Sequence, residues 1–373
     1  MSYAAFLVIA MTPMALSAPD DTGPQRLRMV VDNVRAAELL YGSVDIEYRR
    51  EFATNEIGSY RPGFAMKRSV TTVHLVKQDS KYRVTKFHDD SAEDGRSVKL
   101  EESQSFDGEQ MRQVMDRMAH VIDGKYPNGN LFFPHGWLMA NDFFTYPLSV
   151  FLEGGDTLNN FPTAAAHRTN EQTVVCNYEH EDTINGELCD LVQSKMYQKA
   201  VDPKNLLGVK RIWLAKTKNM LPLRVEGYAV YYSKDLPIQV SEASQLFEVS
   251  PSVWLPKKLK RVIYDELPLI EGKQNVNSTT EWTVTKASLQ PEYPDSFFSD
   301  LPMKDGTVIY YVKNGKNVRK EIYQETSLSP SGSWPWWLVG LVATMVAVAL
   351  LGVARRASKK KPRDEGTRPA TDV

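Results

Sequence analysis

The sequence predicts a mainly β protein of the α+β class, built on an antiparallel sheet. From Gly42 onward, apolar and polar residues alternate with period two in one run after another, and short Gly, Pro, Asn and Asp links separate the runs. Outside the C-terminal forty residues, one segment, Gln25 to Leu40, clearly has the spacing of apolar residues that predicts a helix. The chain has 373 residues, 42% hydrophobic and 24% charged, which is ordinary composition for a globular protein with a large core.

The N-terminus has the features of a secretory signal peptide. Residues Ala4 to Met11 form a short apolar run, and Ala15-Leu16-Ser17-Ala18 ends in the small-x-small pattern that signal peptidase accepts. We therefore predict that residues 1–18 are a signal helix and that the mature chain begins at Pro19. The alternative is a short buried helix, because no Lys or Arg precedes the apolar run.

The C-terminal region predicts a single membrane span. The stretch from Trp336 to Ala354 contains no charged residue over nineteen positions, and about twenty helical residues cross the hydrocarbon core. Trp334, Trp336 and Trp337 lie at one end of this stretch and a basic tail, 355–373, follows the other end, so the tail should be cytoplasmic and residues 334–354 the helix. The body, 19–333, is then periplasmic or extracellular at the cell membrane. A clipped sorting tag after the linker Ser327 to Ser333 is the alternative.

The exported body is predicted to hold one helix followed by many strands. In Gln25 to Leu40, apolar residues recur every three or four positions, which is the spacing of an amphipathic helix. A first strand begins after Gly42, where Val44, Ile46 and Tyr48 alternate with polar residues. Further strands are predicted at Lys67–Lys77, Lys81–His88, Val98–Phe106, Val174–Tyr178, Leu188–Tyr197, Val209–Ala215, Leu223–Tyr232, Ile238–Val249, Trp254–Asp265, Asn277–Ser288 and Thr307–Val312.

One region, 107–168, interrupts the alternation and predicts either a side insertion or a lid. It contains a strand or helix at Glu109–Ile122, a loop rich in Gly, Pro and aromatic residues at Asp123–Trp137, and a helix at Asn141–Leu152. The rest of the body shows no internal repeat and no dividing linker, so we expect one domain.

Two cysteines, Cys176 and Cys189, flank the turn signal Asn185-Gly186 in a predicted strand–turn–strand segment. An exported protein can form disulfides, so we predict a bridge that would stabilise the fold by about 3 kcal/mol through the loop it closes. Two reduced, buried thiols are the alternative.

Motifs for catalysis, cofactors and metals are absent from the sequence. There is no nucleophile elbow, phosphate-binding loop, dinucleotide fingerprint or zinc spacing. The acidic runs Glu179–Asp182 and Asp89–Gly95 lack ligand spacing and are interpreted as a hairpin tip and a charged loop. A formal charge of −1 argues against a nucleic-acid partner. We expect no catalytic residue, no metal and no cofactor, and therefore no enzyme.

Short motifs in the second half resemble the LolA/LolB-like family of outer-membrane lipoprotein-sorting proteins. The segment Arg211–Ala215 (RIWLA), a turn, and Leu221–Glu226 (LPLRVE) resemble that family's "WLD…LPLR" strand pair. Trp254-Leu255-Pro256, Leu301-Pro302 and Asp305–Val308 (DGTV) resemble its exported relatives. The resemblance covers roughly Val174 to Val312. The family's carriers are shorter and have no helical span, so the added span and the 107–168 region depart from the pattern.

The resemblance implies a curved antiparallel sheet, a half-open β-barrel wrapped around helices, with an apolar concavity for acyl chains. We therefore predict a membrane-tethered binding protein for a lipid, acyl chain or lipoprotein. The alternative is an envelope-sensing or protein-interaction module without bound lipid, whose partner the sequence does not identify. Large side chains on the strands are either core or the lining of the ligand cavity, and the candidates for lining are Trp213, Val225, Tyr228, Trp254 and Trp282.

Overall fold

The computed structural model describes residues 23–61, 64–123, 134–139, 147–154, 172–198 and 201–324. The predicted signal helix 1–18, the predicted span 336–354 and the tail 355–373 lie outside these residues. Within the described part of the chain, no helix has both the length and the apolar character needed to cross a membrane.

The described chain is mainly β, as predicted, and its fifteen strands form one curved sheet. Their order in space is β15-β14-β6-β5-β4-β3-β2-β1-β13-β12-β11-β10-β9-β8-β7. The bounds are β1 Val44–Arg61, β2 Phe64–Gln78, β3 Lys81–Ala92, β4 Ser97–Phe106, β5 Gln110–Met115, β6 Met118–Asp123, β7 Gln172–Ile184, β8 Glu187–Gln198, β9 Leu206–Ala215, β10 Pro222–Ala229, β11 Gln239–Ser250, β12 Val253–Tyr264, β13 Val276–Leu289, β14 Val308–Lys313 and β15 Lys316–Ile322.

Most neighbouring strands in this sheet are antiparallel hairpin partners, which agrees with the short links in the sequence. Two pairings join distant parts of the chain. Strand β1 lies beside β13, with Tyr48 opposite Val284, and β14 lies parallel to β6, with Tyr310 opposite His120. These two pairings join the first and second halves of the chain into one sheet.

The long helix predicted at 25–40 is present as α1, Gly23–Leu39. Its apolar stripe, Val30, Val31, Val34 and Ala37, is buried against the sheet, and this burial is what stabilises an otherwise ordinary amphipathic helix. Within the described ranges, three shorter helices follow: α2, Leu148–Glu153; α3, Glu266–Ile270; and α4, Asp295–Ser299.

Helix α2 is fixed to α1 and to β7. The carboxylate of Glu38 on α1 accepts hydrogen bonds from the backbone N–H of Leu148 (2.6 Å) and from the hydroxyl of Ser149 (2.5 Å) at the start of α2. At the other end, Gly154 has φ +68°, and a Cβ atom there would lie 2.5 Å from the carbonyl oxygen of Val174. Only glycine allows β7 to approach the helix end so closely.

The first part of the region 107–168 belongs to the sheet and is not an insertion. Strands β5 and β6 occupy Gln110–Asp123 and belong to the sheet between β4 and β14. The helix predicted at 141–152 has a described counterpart in α2, and a buried turn, Pro134–Met139, packs in the main core. The remaining parts of this region lie outside the described residues.

Candidate functional site

The strand register divides the side chains of the sheet between two faces. Residues opposite each other on neighbouring strands share a face, and successive residues of a strand alternate. The face that carries Ile46 and Tyr48, together with the opposing Leu75 and Val73, is the one that packs against α1. We call it the inner face, and the other one the outer face.

One zone of the inner face is closed by helices. Side chains of α1 and α2 pack there with Leu138 and Met139 of the buried turn, and Leu138, Met139, Leu148 and Leu152 are each at most 1% exposed. This zone is a completed hydrophobic core, because its helical and turn residues already fill the space above the strands.

The buried turn 134–139 is held in this core by His135. The ring is fully buried, and its Nε2–H donates to the carbonyl oxygen of Asn219 at 2.7 Å. Burial lowers the pKa of His135 to about 4, so the ring is neutral near pH 7. Its Nδ1 atom has no hydrogen-bond partner among the residues that the structure describes, where it is an unused acceptor of the buried ring.

Two cations of the inner face also hold this turn. The guanidinium of Arg261 donates to the carbonyl oxygen of Trp137 at 3.2 Å, and Nζ of Lys210 donates to that of Met139 at 3.1 Å. Burial, with repulsion from Arg261, lowers the pKa of Lys210 to about 8. The two side chains therefore bring positive charge to the edge of the closed zone.

A second zone of the inner face carries charged and polar side chains across five neighbouring strands. We call it the polar row: Arg261 of β12, Trp282 of β13, Arg50 of β1, Thr71 of β2 and His88 of β3. Arg50 lies opposite both Trp282 and Thr71, and Thr71 lies opposite His88. The guanidinium of Arg261 lies 5.1 Å from the centre of the Trp282 ring, within the range of a cation–π contact.

Hydrogen bonds connect part of the polar row. Arg50 Nη2 donates to the Thr71 hydroxyl at 3.5 Å, and that hydroxyl lies 3.2 Å from Nδ1 of His88. On the next strand, Glu102 lies 3.8 Å from Lys86 and 3.9 Å from His88. Burial lowers the pKa of His88, with opposing contributions from the charged groups around it. Thr71, Arg261 and Trp282 are buried, whereas Arg50 and His88 are only partly buried and can offer donors to a polar or charged group.

A third zone of the inner face is apolar and exposed. Met115, Met118, Val308 and Ile322 lie opposite one another across β5, β6, β14 and β15, and we call them the methionine row. Met115 is 42%, Met118 44% and Ile322 62% exposed. The core of this part of the sheet lies on the outer face instead, around Val114, Val121 and Ile309.

The polar row and the methionine row are neighbours on the same face. Glu102, which contacts His88 of the polar row, lies directly opposite Met115 on the adjacent strand. At this position, the inner face passes from the charged Glu102 to the apolar Met115 between β4 and β5. A surface with adjacent charged and flexible apolar parts is chemically matched to an amphiphile.

The five residues predicted to line a cavity are divided by the structure. Val225 and Trp282 lie on the inner face, where they are 1% and 4% exposed and belong to the closed core. Trp213 and Tyr228 lie on the outer face, because Trp213 is opposite Arg224 while the next residue, Val225, is opposite Ile212. They do not form one cavity lining.

The other three predicted lining residues, Trp213, Tyr228 and Trp254, are engaged with acids or with a lysine. The indole N–H of Trp213 donates to Asp182 at 2.9 Å, and Tyr228 donates to Glu226 at 2.6 Å. Trp254 is half-buried, and Nζ of Lys218 lies 3.3 Å from the centre of its ring. These contacts give Trp213, Tyr228 and Trp254 structural partners.

Both cysteines are free and buried in the structure, so the predicted disulfide is not formed. The β7–β8 register places Cys176 opposite Ser194 and Cys189 opposite Asp182, several residues apart along the hairpin. Two cysteines so far apart cannot be bridged without backbone movement. Burial raises the pKa of Cys176 to about 12 and that of Cys189 to about 11.

The acidic hairpin 179–182 is occupied by ionic and hydrogen-bonded contacts. Glu181 pairs with Arg26 of α1 at 2.6 Å and also with Lys216, while Asp182 accepts the hydrogen bond from Trp213. Among the described residues, no group of three or more His, Cys, Asp or Glu side chains could hold a metal ion.

The polar and methionine rows were missed at the sequence level, although a signal for each is present. Arg50 is in the same period-two phase as Val44, Ile46 and Tyr48, and His88 is in phase with Tyr82 and Val84. A charged residue in the phase of a buried stripe points inward. The pair Met115 and Met118 flanks the turn Asp116-Arg117, which lacks the glycine or asparagine that marks most hairpins.

Comparisons with known proteins identify no family for this chain. No family model matches it, and no curated protein matches it. Among solved structures, the lipoprotein LppX of Mycobacterium tuberculosis aligns with a TM-score of 0.23 and 8% identity, over 71% of this chain and 98% of that chain. A TM-score this low supports no inference about fold or ligand.

Proposed function

We propose that this chain is a membrane-tethered, extracytoplasmic binding protein for a lipid-type amphiphile, which it holds on the inner face of its sheet. The observation that carries the proposal is the contiguity of the polar row and the methionine row. A head group would contact the charged side of this surface, and an acyl chain would lie along the exposed apolar side.

The geometry favours the open part of the inner face over the interior. The zone beneath α1 and α2 is already filled, so Val225 contributes to stability and not to ligand contact in this proposal. The same holds for the buried members of the polar row, Arg261, Trp282 and Thr71, which leaves Arg50 and His88 to face a head group. The methionine row is exposed, and Met side chains adapt to irregular apolar ligands because they are unbranched and flexible. Burying the three most exposed members would remove apolar surface from water, the usual source of binding free energy.

The proposal keeps the topology predicted from the sequence. A signal helix at 1–18 exports the body, a helix at 336–354 anchors it, and the sheet forms a half-open barrel around α1 and α2. No catalytic step, cofactor or metal is part of this function. The ligand class is an amphiphile, which includes a free lipid and the acylated end of a lipoprotein.

Lipid extraction and native mass spectrometry of the purified full chain test the proposal. A stoichiometric lipid or acylated peptide should co-purify with the wild type and be lost from Met115→Lys/Met118→Lys. Charge at these exposed positions removes the apolar surface while leaving the buried core intact. The matched control is Phe87→Lys, an exposed apolar residue of the outer face, which should retain the ligand. A wild type without bound lipid contradicts the proposal.

A further inference from the structure

The hairpin formed by β14 and β15 lies at one edge of the sheet and carries a concentrated positive charge. Between Val308 and Ile322 there are four cations, Lys313, Lys316, Arg319 and Lys320, and one anion, Glu321. All four cations are exposed. The tight turn Asn314-Gly315 has positive φ at both residues, 52° and 73°, as a two-residue hairpin requires, so the cations are held on a defined strand pair.

Only some of this charge is neutralised within the described chain. Arg319 pairs with Glu321, and Lys313 lies 3.8 Å from Asp123. Lys316 and Lys320 have no carboxylate partner among the described residues, although Lys320 lies 5.7 Å from the ring of Tyr310. Two apolar side chains on the same strand are also exposed, Val318 at 63% and Ile322 at 62%.

The opposite edge of the sheet lacks this positive charge. Strand β7 carries Glu179, Glu181 and Asp182 and contains no Lys or Arg, and Glu181 is paired with Arg26 and Lys216. The uncompensated cations of the β15 edge therefore favour its approach to an anionic surface over that of the β7 edge.

The chain itself leads from this edge to the predicted anchor. After Ile322, only thirteen residues precede Trp336, where the predicted span begins. Even fully extended, such a segment reaches no more than about 50 Å. The covalent connection therefore limits how far β15 can lie from the bilayer that holds the chain.

We propose that the β14–β15 hairpin is a membrane-contact edge, which binds an anionic lipid surface next to the anchor. Lys316 and Lys320 provide the charge attraction, and Val318 enters the boundary between head groups and acyl chains. Each Lys or Arg near an anionic membrane contributes on the order of fivefold in affinity. The inference uses the predicted anchor and does not depend on a bound ligand.

The test is lipid quenching of a fluorophore on the full chain in nanodiscs. Asn317→Cys carries the label at the hairpin and Thr183→Cys carries it near the β7–β8 turn, since both sites are exposed and the native cysteines are buried. Head-group spin-labelled lipid quenches fluorophores that approach the bilayer. In discs containing phosphatidylglycerol, the 317 label should be quenched and the 183 label not, and high salt or purely zwitterionic lipid should reduce the effect on the order of tenfold.

Charge reversal separates a specific contact from general attraction. Lys316→Glu/Lys320→Glu should abolish quenching of the 317 label, while Lys234→Glu/Lys273→Glu, two exposed sites elsewhere with the same change in net charge, should leave it unchanged. Equal quenching of both labels, no quenching of either, or equal loss in both double variants overturns the proposal. So does excimer emission from pyrene at 317 in lipid-free detergent, because the edge would then be binding a second copy. Co-purification of an amphiphile is measured separately and is unaffected by these variants.

Discussion

Glu38 on α1 binds Ser149 on α2 through both oxygens of its carboxylate. One oxygen accepts from the Ser149 hydroxyl at 2.5 Å, and the other accepts from the backbone N–H groups of Leu148 (2.6 Å) and Ser149 (3.4 Å). Glu38 is 4% exposed. A buried acid thereby supplies the acceptors that the first N–H groups of α2 need and fixes α2 over the closed zone of the core.

Removing this carboxylate should loosen the closed zone. Glu38→Ala leaves several buried donors unpaired, so we expect the free energy of unfolding to fall by about 2–3 kcal/mol in denaturant titrations. Glu38→Gln keeps one acceptor oxygen and should cost less. Equal stability of all three proteins would contradict the structural role of Glu38.

The same residue should give a characteristic pH dependence. Burial raises the pKa of Glu38 above its ordinary 4.5, so the folded state favours the protonated acid. The resulting stabilisation is complete below pH 4.5 and is lost as pH rises through the raised pKa. Glu38→Gln cannot ionise, and its stability curve should lack this decline when unfolding is followed from pH 4 to 8.

His135 should contribute a slope of the opposite sign. Its pKa is lowered to about 4, so between about pH 4 and its ordinary 6.5 the unfolded chain binds a proton that the folded chain does not. Stability should therefore rise with pH across this window, by roughly 3 kcal/mol at most.

The variant His135→Phe isolates this effect. It should flatten the rise and lower stability at neutral pH, because the carbonyl of Asn219 loses its donor. An unchanged slope in this variant would exclude His135 as its source.

Gly154 offers a test of the contact between α2 and β7. Gly154→Ala combines a positive φ with a Cβ placed 2.5 Å from a backbone oxygen, and we expect a loss of about 2 kcal/mol or more. Gly186→Ala is the matched control, because φ is +84° there and no atom lies within 4 Å of the added Cβ. The difference between the two variants measures the clash alone, and similar losses would mean that α2 does not contact β7 this closely.

Thiol chemistry should distinguish the two interpretations of the cysteines. Thiolates react with iodoacetamide, and burial raises both thiol pKa values far above neutrality. The folded protein should therefore remain unmodified at pH 7.5, and denaturation without reductant should expose two alkylatable thiols. An intact mass two hydrogens lighter than the reduced chain would show that the disulfide forms after all.

Local patterns predicted the strands well and their register poorly. The hairpin β7–β8 was expected at Asn185-Gly186 and is there, but an irregularity between Tyr178 and His180 shifts the pairing beyond it. A similar irregularity between Pro222 and Arg224 changes which residues of β10 share a face with β9. Alternation within one strand does not report such shifts, so neither the cysteine register nor the opposite faces of Trp213 and Val225 followed from the sequence.

Strand β15 and the turn between β5 and β6 were not predicted from the sequence, for a different reason. Lys316–Ile322 is an edge strand with few buried residues, so it lacks the apolar half of the pattern. The turn between β5 and β6 has Asp116 with φ +53° in place of a glycine or asparagine. The methionine row depends on these elements, because its four residues come together only when β14 pairs with β6.

Photo-crosslinking in living cells can locate a bound amphiphile on one face of the sheet. A benzophenone amino acid at Met118, 44% exposed on the inner face, is compared with one at Phe87, 50% exposed on the outer face. After irradiation, we expect a lipid or acylated-peptide adduct on the Met118 protein and none on the Phe87 protein. Equal lipid adducts at both positions, or only protein adducts at Met118, would contradict an amphiphile site on the inner face.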